Sequence, residues 1–351
     1  DNAELGAWID QSFGASVAFL LGVIWIGRAH WWQLLRGFIG KGDGRAPRHR
    51  LAIGVTILGP IVMVVWLVTM GTQAWAAIVI VGVVLMAHLV VARVVAETGL
   101  VFIRNYASPW QIFSAMSPKL FRAQDIFFAG VWQINGTQTT RESLLAFAMH
   151  GLKVNDTIDS RHDGQIRHAG WRLVVAVGWA VVIGLVFASA SYLFIYYHYP
   201  MPLGNSGATM LNSPALNDWP RDLMQAPLNQ WADGRFTERP YHPWLHFGIG
   251  AGVTFLLQAA TLRWAGWPFL PVGYLVSSTW YMQLAWFSIF LGWLCKVLVV
   301  RFGGARGFDR AKPIFFGLIF GEAFAAGLWL LINIVLAMNG ADYKIVQFLP
   351  Y

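Results

Sequence analysis

Charge is what this sequence has least of. Of its 351 residues only 12% are Asp, Glu, Lys or Arg, about half of the roughly 25% found in a soluble globular domain. That deficit removes the polar coat a water-exposed surface needs. Cysteine is nearly absent as well. Cys295 stands alone, which excludes an internal disulfide and any cysteine-built zinc or iron–sulfur site. There is no phosphate loop, HExxH helix, dinucleotide fingerprint or nucleophile elbow, so the expectation is a protein that is not an enzyme and holds no cofactor. Alternating strands of about ten residues are also missing, which argues against a transmembrane β-barrel. No signal-peptide pattern precedes Asp1, so the chain reads as a processed product or as part of something longer.

What the sequence does have is apolar surface: 57% hydrophobic residues, with 19 Trp and 24 Phe. The fold class expected is all-α, a polytopic transmembrane helical bundle. Apolar runs of spanning length fall at about 13–27, 51–70, 72–96, 171–197, 244–264, 282–300 and 313–338. A further stretch, WPFLPVGYLVSSTWY at 267–281, carries Pro268, Pro271 and Gly273 followed by Ser277, Ser278 and Thr279. It is too interrupted for an ordinary span. It suits a broken or re-entrant helix, tolerated only where the freed backbone faces protein or water. Counted as one pass, it brings the total to about eight crossings within a single transmembrane domain, 1–351.

The basic residues give the orientation. Arg28, Arg36, Lys41, Arg45, Arg48 and Arg50 cluster in 28–50, others fall in 104–172, and Lys296, Arg301, Arg306, Arg310 and Lys312 fall in 296–312. With Arg93 and Arg263 at helix ends, most of the 25 basic residues lie on one side, read as cytoplasmic. Both termini are then extracytoplasmic, and the acidic N-terminal flank of Asp1, Glu4 and Asp10 agrees. The net charge of +8 is thereby a matter of topology, with no nucleic-acid partner implied. Residues 97–170 form a cytoplasmic segment with re-entrant or interfacial helices. Residues 198–243 form an extracytoplasmic loop, a lid or docking surface.

Some polar residues are set into apolar sequence. Arg93 and Glu97 are four apart and share a helix face, with His88 nearby. Either they pair within the bundle, or they sit at the inner interface with Arg93 snorkelling outward. A lone histidine such as His88 is more often a hydrogen-bonded core residue than a working one. Glu322 lies nine residues beyond Pro313, about 14 Å along its helix, with no basic residue beside it. A carboxylate there binds a cation on another helix or holds a proton. Gly317, Gly321 and Gly327 would allow close helix approach around it. His242 and His246 have the spacing of two imidazoles on one helix face, a weak metal signal without a third ligand, and Pro243 suggests a plain helix start. Together with His88, these two also leave open a redox or pigment protein with axial histidine ligands.

Five stretches carry a family resemblance: HPWLHFGIG at 242–250, the glycine- and proline-broken segment after it, WFSIFLGWLCKVLVVRFGG at 286–304, DRAKPIFFGLIFGE at 309–322, and ARVVAETGL at 92–100. The chain resembles a bacterial integral membrane protein family of unknown function related to the oligopeptide transporter superfamily, and specifically its C-terminal half. The resemblance implies inner-membrane localisation and paired inverted halves, with broken helices lining a central path for peptides or metal chelates, driven by protons. Full members carry roughly twice as many helices, so a second half-transporter chain or a larger membrane complex is the implied partner, beside membrane lipid and a small-molecule substrate. Glu322, Arg93, Glu97, His88, Ser277 and Ser278 are the pathway residues expected. The competing expectation is a non-transporting structural subunit that keeps the transporter-like fold.

Overall fold

Apolar helices interrupted by short turns leave few ways to satisfy the backbone away from water, and the chain takes the helical one. The structure is a computed structural model. It describes residues 2–38, 47–100, 103, 105–135, 143–159, 169–198, 227–234, 242–277 and 279–339. Among them it is all-α: α1 (Asn2–Ile26), α2 (Arg28–Phe38), α3 (Pro47–Thr69), α4 (Ala74–Thr98), α5 (Pro109–Ser114), α6 (Ala123–Asn135), α7 (Leu144–Asp159) and α8 (Ala169–His198). A short helix over 227–232 (α9) precedes α10 (Pro243–Arg263), α11 (Pro271–Ser277) and α12 (Trp280–Met338). Five helices are long and apolar enough to cross a membrane, which marks a membrane protein. The expected spans coincide with α1, α3, α4, α8, α10 and the two limbs of α12. The first reaches further back than its apolar run, because α1 already begins at Asn2. Most of the 198–243 loop, and Ser278, lie outside the described residues.

Two compact units divide the chain, Asp1–Ser278 and Thr279–Tyr351. In the first, α1 and α10 lie side by side. A β-carbon on Gly14 would overlap the Phe247 carbonyl, and one on Gly250 would overlap the Gln11 carbonyl. The backbones therefore touch with nothing between them, the way small residues drive helix pairing in lipid. Phe13 stacks at a tilt on Phe247, 5.1 Å between ring centres, and further along Gln258 donates to the Phe19 carbonyl at 3.3 Å. The matched positions rise together, so the two helices run in the same direction.

α4 is the most enclosed of the five candidate spans, with 61% of its apolar window buried. Beyond its C-cap Gly99, in the left-handed region at φ 69°, the chain turns back along it. Ile103, Asn105, Ala107 and Ser108 are all buried on a non-helical limb. α5 then sits beside the opposite end of α4, where Phe113 lies 6.0 Å from the Trp75 ring and 4.6 Å from Phe121. α6 descends again, with Phe128 edge-on to Trp66 on α3 at 5.7 Å. The side chains of Leu67, Ile80, Val84, Phe113, Phe121 and Ile126 form one apolar cluster there. This limb, not a loop, makes 105–135 part of the bundle.

Asp125 fastens the top of that return. It is fully buried and accepts from the Gln73 backbone N–H at 2.8 Å, the Gln73 side-chain amide at 2.7 Å and the Arg122 backbone N–H at 2.8 Å. Gln73 is the N-cap of α4 and Asp125 lies in the first turn of α6. One carboxylate thus faces the positive ends of two helix dipoles. Lys119 and Arg122 follow it to this end, away from Arg93. They leave the basic side to which the sequence pattern assigned them, because a re-entrant limb carries its charges back across the bundle.

The second unit is α12. As one rod its 59 residues would extend about 88 Å, nearly three times the roughly 30 Å hydrocarbon core. It does not stay straight. Gly304 takes φ 60° and ψ −162°, a conformation open to glycine. As a result a β-carbon on Gly307 would lie 3.7 Å from the Val299 carbonyl. Lys296 and Lys312 both reach the Phe308 ring, at 5.9 Å and 4.9 Å. The limbs 280–303 and 305–338 meet at a sharp basic bend, where the charge pattern separates two spans.

Two measurements test this packing. Gly14→Ala and Gly250→Ala should each lower stability by about 1–3 kcal/mol through overpacking, while Gly252→Ala, with open space around it, should stay within about 0.5 kcal/mol, read as thermal unfolding in detergent. Asp125→Ala should cost about 1–3 kcal/mol by removing the acceptor of three part-buried donors, and limited proteolysis should then cut within 105–135 before the rest of the chain.

Candidate functional site

Polar side chains inside an apolar bundle are costly and point to function by default. Here they fall on more than one side of α1. Asp10, Ser12 and Ser16 are buried, and Gln11 is half-buried between α10 and α11. The Gln11 amide nitrogen lies 3.0 Å from His246 Nδ1 on α10. Its amide oxygen accepts from the Tyr274 hydroxyl on α11 at 3.3 Å. A carboxamide has one donating and one accepting end, so Gln11 fixes the sense of the chain. With Tyr274 donating, Gln11 donates onward and His246 Nδ1 must accept. A proton arriving on Nδ1 would require the amide to turn over and Tyr274 to accept instead. The three residues form a relay with two polarities.

A second group lies on the opposite side of α1, because Ser12 and Ser16 are each two residues, about 200°, from Gly14, which meets α10. Ser16 Oγ lies 2.9 Å from the Ser12 carbonyl and 3.2 Å from Asn105 Oδ1, and its single proton can serve only one of them. Asn105 Oδ1 also accepts from the Ala107 backbone N–H at 3.1 Å. Among the described residues Asn105 Nδ2 is buried without a partner, as is Thr254 Oγ1 on the face of α10 turned to α1. A buried donor left unmade costs about 1–3 kcal/mol, so these atoms are what a polar ligand or ordered water would satisfy. The elements that present them are the glycine-sealed α1–α10 pair, the re-entrant limb and the broken segment 264–277.

The pathway and metal residues expected from sequence have the following surroundings. Arg93 pairs with Glu97 at 2.6 Å, with side chains 52% and 35% exposed, so the pair forms on the surface of α4 and not inside the bundle. His88 is half-buried and engaged. Ser277 is exposed and donates to the Tyr274 carbonyl at 2.7 Å, closing its own short helix, and Ser278 lies outside the described residues. His242 is the extended N-cap of α10, outside the helix proper, so it does not share a helical face with His246. Among the described residues no group of three His, Cys, Asp or Glu side chains could hold a metal ion. Glu322 is exposed within its own unit, and open space surrounds Gly317, Gly321 and Gly327, so no close helix approach forms there among the described residues.

The sequence reading missed Asp10, Gln11, Ser16, Asn105 and Tyr274. Asp10 passed for solvated flank because it follows Glu4 and Asp1. A period-four signal was present in Ser12 and Ser16, which share a face within an otherwise apolar run. The partners across the bundle carry no local signal.

Interior and surface separate in one comparison. Gln11→Leu should lower stability by about 1–3 kcal/mol by stranding Tyr274 and His246, whereas Glu97→Gln should change it by no more than about 0.5 kcal/mol, the worth of an exposed i,i+4 pair, both by thermal unfolding of the purified protein.

No curated protein and no solved structure matches the chain. Residues 7–347 match the family described as "Family of unknown function (DUF6785)", and the chain belongs to that family.

Proposed function

We propose that the protein is a secondary transporter of the oligopeptide-transporter kind, or one half of such a transporter, moving peptides or metal chelates with protons as the coupling ion. The observation that carries the reading is the polar group at the α1–α10–α11 junction. It joins Tyr274, Gln11 and His246 in one hydrogen-bonded relay with two polarities; Thr254 in the α1–α10 seam and Asn105 on the opposite side of α1 keep buried polar atoms unpartnered among the described residues. A buried polar group at an interrupted helix is where transporters hold substrate. Peptides and hydroxamate-type or amino-acid chelates offer the amides and carboxylates that the Gln11 amide and the Tyr274 hydroxyl would meet. Arg28, Arg36, Arg93 and Arg263 lie toward the α1 and α4 C-terminal end of the first unit, which favours a cytoplasmic placement of that end in an inner membrane.

A second reading is a structural subunit of a larger membrane complex. It is favoured by α8, whose apolar window Val175–Phe194 is 0% buried, a surface that lipid or another chain must cover.

The test is uptake into proteoliposomes under an imposed pH gradient, with a radiolabelled dipeptide and a ferric chelate as the two substrate classes. Accumulation of either, reduced at least tenfold by Gln11→Leu and by Asn105→Leu, is the expected result. Glu322→Gln tests the last-helix carboxylate: retained uptake with lost pH dependence would make it a coupling group, and unchanged uptake across pH would remove it from the mechanism. No uptake of either class, together with persistent co-purification of another chain, would replace the transporter reading with the structural one.

A further inference from the structure

At the end of the first unit away from the polar group, α1, α2, α4 and α7 enclose an open cavity of about 380 Å³. Its volume is in the range of small-ligand sites. Phe19, Val23, Trp31, Val90 and Met149 are among its lining side chains, and Arg93 is the one charged residue that reaches it. Leu89, Ile24 and Trp31 stand half-exposed at its mouth. The cavity therefore opens on the side that faces lipid along α1 and α4.

Cations outnumber acids among the described residues around it. Arg93 gives Nε and one terminal nitrogen to Glu97, which leaves part of its five-donor fork directed outward. α2 follows α1 directly and reads RAHWWQLLRGF, with two arginines and no acidic residue. Arg28 lies over the Trp25 ring at 4.7 Å and Arg36 over the Trp32 ring at 5.2 Å, so aromatic faces hold both at the level where tryptophan meets headgroups. A basic helix with apolar tryptophans has the composition of an element lying in the membrane interface.

We infer that this cavity is a seat for one anionic phospholipid, with an acyl chain between α1, α4 and α7 and the phosphate held at Arg93 beside α2. The apolar lining selects a chain, and the donors that Arg93 does not give to Glu97, with the arginines of α2, select a negative headgroup. Free phosphate would meet the arginines but gain nothing from the cavity. A zwitterionic lipid would fill the cavity but carry its own cation to the arginines. The site is independent of the transport reading, since it requires only a chain that spans a membrane.

Native mass spectrometry of the delipidated full chain in detergent tests it, with phosphatidylglycerol and phosphatidylcholine of the same acyl composition as probes. The wild type should retain phosphatidylglycerol at least fivefold more tightly. Arg93→Gln should bring phosphatidylglycerol down to the phosphatidylcholine level, and Ala92→Trp, which fills the cavity, should weaken both lipids at least fivefold. Met149→Trp fills it from the α7 side and serves if Ala92→Trp does not fold. Equal retention of the two lipids by the wild type, retention untouched by a folded cavity-filling variant, or displacement of phosphatidylglycerol by inorganic phosphate would each overturn the proposal. So would a second protein chain occupying the seat, seen as lipid loss on dimerisation.

Discussion

Gly14 and Gly250 let α1 and α10 touch backbone to backbone, and the polar interior depends on that contact. Lipid supplies no hydrophobic force to join two apolar helices, so the attraction comes from close van der Waals packing and from the hydrogen bonds it permits. Sealed against lipid along this seam, Gln11 can reach His246 and Gln258 can reach the Phe19 carbonyl. A side chain at either glycine would force the helices apart and open those bonds to hydrocarbon. The same seam turns Thr254 inward, where it is buried but unpartnered.

A second constraint is that backbone polar groups at membrane depth must find partners. Ile103, Asn105, Ala107 and Ser108 on the non-helical limb are buried, and the requirement is met there with side chains. Gln111 accepts from the Ser108 N–H and donates to the Tyr106 carbonyl, while Asn105 takes the Ala107 N–H. Pro109 begins α5 at a position where its missing donor costs nothing. The re-entrant path is thus built from a few amide side chains, and one of them, Asn105, meets Ser16 on α1.

The spans were legible because a continuous apolar run reports its own solvent. Even the bend at Gly304 could be read, as basic residues at 296–312 cannot sit in hydrocarbon. What stayed hidden were pairings between distant segments. An apolar helix looks alike on all faces, so nothing local distinguishes Gly14, which touches Phe247, from Gly317, which faces open space. The charge pattern misplaced Lys119 and Arg122 for a related reason. It assigns a whole loop to one side, and a limb that climbs back along α4 breaks that rule. Arg93 and Glu97 could be paired from their spacing of four, but spacing does not tell the surface of a helix from its buried face.

Two carboxylates show the difference between a charge that the fold has solved and one it has not. Asp125 is buried, yet three donors and two helix N-termini meet it within 2.8 Å, so its desolvation is offset locally. It holds the chain together and is not available for chemistry. Glu322 stands on an apolar limb with no ion pair or hydrogen bond among the described residues of its own unit, and the glycines near it draw no neighbour closer. A carboxylate left in that condition needs a donor from outside the unit, whether a partner chain, a substrate or a bound proton. The need is the same in either functional reading, which makes the surroundings of Glu322 in the assembled membrane the place where the two diverge.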